Sequence, residues 1–161
     1  MVKICEAPVT VNAVLSVRPM QVADLQGVMR VECSAYVSPW RLEDFYRELT
    51  MNQLAHYFVA EQNGEIVAFV GIWLMVDEVH ITNIAVFQEH RGKKIGEQLL
   101  LFILDEAKRL GAIRTILEVR VSNSRAQNLY VKHRFRFVGL RRNYYHDNGE
   151  DAFLMERDLR C

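Results

Sequence analysis

The stretch "IAVFQEHRGKKIGEQLL", residues 84–100, passes from an apolar, strand-like run through a charged, glycine-punctuated turn into an amphipathic helix. A loop with few bulky side chains at a helix start exposes main-chain N–H groups, and these donors together with the helix dipole favour an anion. A phosphate-bearing ligand is therefore the first expectation for residues 91–96. Lys94 stands where a further glycine is expected. Lys94 is expected to take a helix-compatible backbone with its side chain outward, so that main-chain N–H groups still meet the ligand.

Working outward, "HYFVAEQNGEIVAFVGIWLM" (56–75) holds Asn63-Gly64 between two β-rich runs, a pair suited to a tight hairpin turn, and "EVHITNIAV" (78–86) reads as a third strand. Before them come a short strand in "AVLSVRP" (13–19), a helix in "VADLQGVMRVECSA" (22–35), and a second helix in "SPWRLEDFYREL" (38–49). Ser38 is expected to cap that second helix, with Pro39 in its first turn. Downstream, a helix from about Lys94 to Leu110 closes on Gly111. "RTILEVRV" (114–121) then alternates Ile116, Glu118 and Arg120 with Leu117, Val119 and Val121 as a strand does. "SRAQNLYVKH" (124–133) is a helix after Ser122-Asn123, and "FRFVGLRRNYY" (135–145) and "EDAFLMERDL" (150–159) are two strands around a turn-rich connector. The order βααβββαβαββ predicts a mixed α/β sheet in one domain, residues 13–161, behind a loose leader at 1–12.

Composition narrows the function. Twenty basic and twenty acidic residues cancel, so no global field points to nucleic acid or membrane, and a chain of 161 residues with half of them apolar supports its own core. The apolar runs stop well short of the ~18 residues that suggest a membrane span. No signal peptide is legible, so the expected compartment is the cytoplasm. Cys5, Cys33 and Cys161 are odd in number and far apart, and the five histidines show no metal-site spacing, so no metal is expected.

The blocks "ITNIAVFQEHRGKKIGEQLL" (81–100), "LEVRVSNSRAQNLYVKHRF" (117–135) and "RRNYYHDNGEDAFLM" (141–155), in this order, resemble the GNAT N-acetyltransferase superfamily, most closely the bacterial ribosomal-protein-alanine N-acetyltransferases. The similarity spans roughly residues 15 to 158. It implies a mostly antiparallel central sheet, splayed at an acetyl-CoA site and flanked by helices on both faces. By this resemblance Arg91, Gly92, Lys93, Lys94, Ile95, Gly96 and Glu97 form the pyrophosphate loop, and Ile84, Ala85 and Val86 are the strand that meets the acetyl end. Read alone, the loop is a basic helix start and the strand is core. Glu118 matches the general base of the family and Tyr130 its general acid. On residue chemistry alone these are a strand carboxylate, with Arg120 as a same-face partner, and a core aromatic. Asn123 matches an acetyl-CoA contact and equally suits a helix N-cap.

Two departures stand out. Lys94 fills a glycine slot, where it either crowds the phosphates or adds a cation beside them, and Arg134 stands where relatives commonly place glycine. If Arg134 needs positive φ, the cost is on the order of 1 kcal/mol. Arg141, Arg142, Tyr144 and Tyr145 read as part of a peptide site or as an ordinary edge strand. The implied reaction is acetyl transfer from acetyl-CoA, without a metal, to the N-terminal alanine amine of a small-subunit ribosomal protein, requiring neither nucleic acid nor membrane. The α-amine, with a pKa of about 7.7 to 8.0, must first lose a proton, which is work for a carboxylate. The competing expectations are a lysine or small-amine acceptor and a non-catalytic acyl-CoA-binding module.

Overall fold

Asn63 and Gly64 both take positive φ, 53° and 77°, and close the hairpin expected of them between β2 (Ala55–Gln62) and β3 (Glu65–Met75). The computed structural model describes residues 14–160, so the leader expected at 1–12 lies outside them. The other elements are β1 (Ser16–Pro19), α1 (Leu25–Ala35), α2 (Leu42–Met51), β4 (Glu78–Val86), α3 (Ile95–Arg109), β5 (Arg114–Arg120), α4 (Ser124–Lys132), β6 (Arg136–Arg141) and β7 (Ala152–Asp158). Short 3-10 turns at Val22–Asp24 and Gln88–His90 precede α1 and the 91–96 loop. The strands form one sheet in the order β1-β2-β3-β4-β5-β7-β6, in which only β4 and β5 run parallel. The expected mixed, mostly antiparallel sheet is the one observed.

Strand alternation divides the apolar residues between the two faces. On one face Val70, Ile72, Val79, Ile81, Leu117 and Val119 lie against Leu99, Leu100 and Ile103 of α3 and Tyr130 of α4. On the other, Val59, Phe69 and Ala85 lie against Val28 and Val31 of α1 and Phe45 of α2. Phe45 is fully buried, with its ring edge-on to Phe69 at 5.4 Å and Trp40 tilted at 5.3 Å. Truncating it to alanine is worth about 3–5 kcal/mol of stability.

Two local features shape the middle of the sheet. Gly71 sits beside Tyr57, where an added Cβ would lie 2.3 Å from the tyrosine ring, so glycine makes that close approach possible. At the same place β4 carries a bulge: Gly71 pairs with Asn83 but Ile72 pairs with Ile81, leaving Thr82 as the extra residue. The bulge resets the alternation. His80, Asn83 and Ala85 thus face α1 and α2, while Ile81 and Ile84 face α3.

Two boundaries differ from expectation. Helix α2 begins at Leu42, after Ser38 and Pro39, because the Arg41 N–H donates to Asp44 Oδ2 at 3.0 Å and supplies the cap from inside the helix. Strand β6 stops at Arg141, leaving residues 142–145 to a turn in which Asn143 has φ 49°. No helix among the described residues is long and apolar enough to cross a membrane.

Candidate active site

β4 and β5 pair only from Glu78 opposite Arg114 to Ile81 opposite Leu117. Beyond that rung β4 stays on β3 as far as Val86, and β5 stays on β7 as far as Arg120. Two adjacent strands therefore part, each held by its outer neighbour. The Phe87 N–H donates to Val67 O on β3 at 2.8 Å, so Ala85 faces β3 as well and the main-chain groups of Ile84 and Val86 point into the gap. The Ile84 carbonyl accepts the Tyr36 hydroxyl at 2.9 Å. The N–H groups of Ile84 and Val86 remain as donors on the gap's edge.

The 91–96 loop runs into α3 beside this gap. Gly92 has φ 80° with nothing within 4 Å of where its Cβ would stand. Lys94 does not take the helical backbone expected of it: it is left-handed, with φ 61° and ψ 18°, and α3 starts only at Ile95. The chain has to reverse from the extended Arg91 into the helix, and the left-handed region makes that turn at a position where glycine carries no penalty. No side chain caps α3, whose first backbone bond runs from the Gln98 N–H to Lys94 O at 3.1 Å. The N–H groups of Lys94, Ile95, Gly96 and Glu97 thus lack intrahelical acceptors. Gly96 lies beside Val86, at 3.6 Å from an added Cβ, so the helix start abuts the end of β4. Lys93 is exposed. The Glu97 carboxylate is already engaged, by Lys132 Nζ at 2.6 Å and His133 Nε2 at 2.7 Å, so its main-chain N–H is what it offers a ligand.

Glu118 lies on β5 where pairing with β4 ends, on the face toward α1 and α2, with its side chain 7 % exposed. The expected pairing with Arg120 is absent. Glu118 Oε2 is 2.5 Å from His80 Nε2, and Glu118 Oε1 is 3.1 Å from Arg141 Nε. Arg120 instead binds Asp147 at 2.7 Å and Glu150 at 3.3 Å and lies 3.8 Å above the Tyr145 ring. Same-face neighbours on one strand stand about 6–7 Å apart, and partners from other strands come closer. Beyond His80, Trp73 meets the imidazole edge-on at 6.4 Å and donates its indole N–H to Glu48 Oε2 at 2.7 Å.

Across the gap, Tyr130 projects from α4 into the other face, 6 % exposed and packed at 5.6 Å on Phe135. Among the described residues no hydrogen bond is made by its hydroxyl. Burial, then the nearby Tyr145, pushes its pKa up to about 12, so the phenol keeps its proton. Asn123 is the N-cap of α4, its Oδ1 accepting the Ala126 N–H at 3.1 Å. The helix ends on Arg134, which has φ 65° as the glycine comparison expects, with the Phe135 N–H closing onto Tyr130 O at 3.0 Å.

An uncapped helix start, a strand that leaves its parallel neighbour, and a carboxylate and a protonated phenol on opposite faces of the opening form one constellation. The sequence profile of the acetyltransferase (GNAT) family matches residues 25–135. The chain belongs to the GNAT family. A Bacillus subtilis relative, provisionally named a ribosomal protein bS18-alanine N-acetyltransferase, is 45% identical over 140 residues, covering 87% of this chain and 93% of its own. The Escherichia coli K12 ribosomal protein bS18-alanine N-acetyltransferase is 33% identical over 144 residues, covering 87% and 95%. The crystal structure of the ribosomal-protein-S18-alanine N-acetyltransferase from Escherichia coli superposes with a TM-score of 0.84 at 30% identity, covering 91% of this chain and 94% of its own.

GNAT acetyltransferases use acetyl-CoA, and in this GNAT enzyme the free donors at 94–97 suit a pyrophosphate while the β4 edge suits a thioester carbonyl. Sequence reasoning missed His80, and it named Arg141 for a peptide site or an edge strand but not as a partner of Glu118. The signal for His80 was its place beside Glu78 on the polar face of an otherwise apolar strand. Nothing local marked the Arg141 pairing, because Glu118 lies two strands away. Among the described residues no group of three or more histidine, cysteine or acidic side chains is placed to hold a metal.

Proposed function

We propose that this enzyme acetylates the N-terminal alanine α-amine of the small-subunit ribosomal protein bS18, in the cytoplasm and in a ternary complex with acetyl-CoA. The observation that carries the reading is Glu118 at the mouth of the β4–β5 gap with Tyr130 on the gap's other side, in a chain whose relatives are named for this reaction. Acetyl-CoA lies with its pyrophosphate on the main chain of 94–97 and its acetyl carbonyl against the Ile84 or Val86 N–H. Glu118, directly or through a water, takes a proton from the α-ammonium, and His80 on its second oxygen holds the carboxylate in place. The amine nitrogen then bonds to the acetyl carbon, its negative oxygen held by the β4 N–H. The intermediate collapses with cleavage of the C–S bond: the departing sulfur takes the phenolic proton of Tyr130, the nitrogen releases its second proton to solvent to leave a neutral amide, and a proton from solvent restores the phenol. Asn123, which caps α4, and Arg91, which opens the loop, complete the coenzyme side.

The test is acetyl transfer to synthetic peptides. Peptides beginning with the first residues of bS18 should accept acetyl on the α-amine, and the same peptides blocked at the N-terminus should not. Label found chiefly on lysine side chains, or on small amines alone, would replace this acceptor with another and leave the family unchanged.

A further inference from the structure

Helix α3 begins at the loop assigned to the coenzyme, and helix α4 carries the phenol assigned to its sulfur. Among the described residues the polar side-chain bonds between these two helices converge on one atom. Glu97 Oε1, in the first turn of α3, accepts Lys132 Nζ at 2.6 Å and His133 Nε2 at 2.7 Å, both from the end of α4. Lys132, then His133, hold the Glu97 carboxyl below its ordinary pKa, so it is ionised at neutral pH. His133 is tied twice more: its N–H donates to Leu129 O and Tyr130 O, and its carbonyl accepts Arg157 from β7 at 3.0 Å. Tyr130 is three residues upstream, on the turn these bonds clamp.

The site needs this clamp for two reasons. The residue after His133 is Arg134 at φ 65°, so α4 ends in a conformation that a non-glycine residue resists. A carboxylate in the first turn of α3 would also repel a pyrophosphate, and the Lys132 ammonium offsets that charge. Resting on the assignment of Tyr130 as the acid, we propose that Glu97 is a positioning residue. Through Lys132 and His133 it fixes the Tyr130 helix against the coenzyme loop, setting the distance from phenol to sulfur.

The experiment is a double-mutant cycle between Glu97→Ala and Tyr130→Phe, reading kcat and acetyl-CoA affinity separately. Removal of the clamp should lower kcat about tenfold, because misplacing a reacting group by an ångström can cost about 10²-fold and a smaller shift costs less, while coenzyme Kd stays within about threefold. In the Tyr130→Phe background the same substitution should cost less than about twofold, since no phenol remains to be placed. Glu97→Gln, which keeps an acceptor oxygen of the same shape, should recover part of the lost kcat and carries the cycle if the alanine variant does not fold. Equal fold losses in the two backgrounds, or a loss confined to coenzyme affinity, would overturn the proposal. If Tyr130→Phe alone leaves turnover near that of the parent, it is the assignment of the acid that fails, and the positioning role falls with it.

Discussion

His80 Nε2 and Glu118 Oε2 lie 2.5 Å apart just where β4 and β5 stop pairing, so the proposed base is oriented by a side chain from the strand that also presents the proposed oxyanion donor. The hydrogen bond and the Arg141 contact occupy one oxygen each.

His80→Phe removes the ring nitrogen and keeps an aromatic body, so kcat/KM should fall about tenfold, and His80→Gln, which retains a donor, should recover part of it. Glu118→Gln should lose about 10²-fold, most at low pH where the acceptor is protonated, with recovery as free amine accumulates. The measurement is a pH–rate series on an alanine-first peptide. Parallel profiles for Glu118→Gln and the parent would remove Glu118 from proton transfer.

Tyr130→Phe should lower turnover about 10²-fold at every pH with acetyl-CoA binding little changed. The phenol pKa near 12 means that its ionisation adds no alkaline limb to the parent's rate between pH 8 and 10. The folded state holds this proton more tightly than the unfolded chain, whose phenol titrates near 10. The associated stability is therefore present below pH 10 and lost as pH rises toward 12. In alkaline melting curves the parent should therefore lose stability relative to Tyr130→Phe as pH rises above about 10.

Lys94→Gly and Arg134→Gly each replace a left-handed side-chain residue, at φ 61° and 65°, with the residue that suits it. Net of the added freedom of the unfolded chain, each should gain about 0.5–1 kcal/mol, or about 1–4 °C in melting temperature. Acetyl-CoA affinity should move only modestly on Lys94→Gly if the ligands are main-chain N–H groups. A drop of orders of magnitude, seen by calorimetry, would make the lysine side chain a principal ligand.

Glu32 on α1 is 2 % exposed, with Oε1 accepting the Trp40 N–H at 3.0 Å and Oε2 buried without a hydrogen bond. Burial is the main influence and raises its pKa, with the Trp40 N–H and then the Asn83 amide opposing. The folded state keeps a proton that the unfolded chain has released. The parent should thus lose stability as pH rises from about 4.5 through the folded pKa. Glu32→Gln should melt higher than the parent at pH 8, with the advantage shrinking toward pH 4. An advantage independent of pH would show that the carboxyl does not titrate in this range.

What could be read along the chain was whatever rests on neighbours. Asn63-Gly64 and the Gly111 cap depend on a few adjacent residues and were legible, as was the strand and helix order that decides the sheet, whereas positive φ at Arg134 was raised only by the glycine that relatives place there. The start of α2 was misplaced because Asp44 caps from within, a competition that Ser38 loses. The partners of Glu118 come from positions 80 and 141, on other strands, and only the register of β4 on β5 and of β5 and β6 on β7 brings their side chains to it. Lys94 was misread because main-chain donation at a helix start leaves the side chain free to vary and does not show the backbone the residue must adopt.

The parting of β4 from β5 makes the sheet a wall with a slot in it. Helices α3 and α4 line one side, and α1, α2 and the Glu118 carboxylate line the other. A donor seated on the first side and an acceptor on the second approach each other through the slot without crossing paths. Neither blocks the other's entry, so initial-rate plots should intersect as they do when both substrates are bound before any product leaves. The slot's width is set by β3 gripping one lip and β7 the other, so in the proposed reaction the reach between nitrogen and carbonyl follows from sheet geometry.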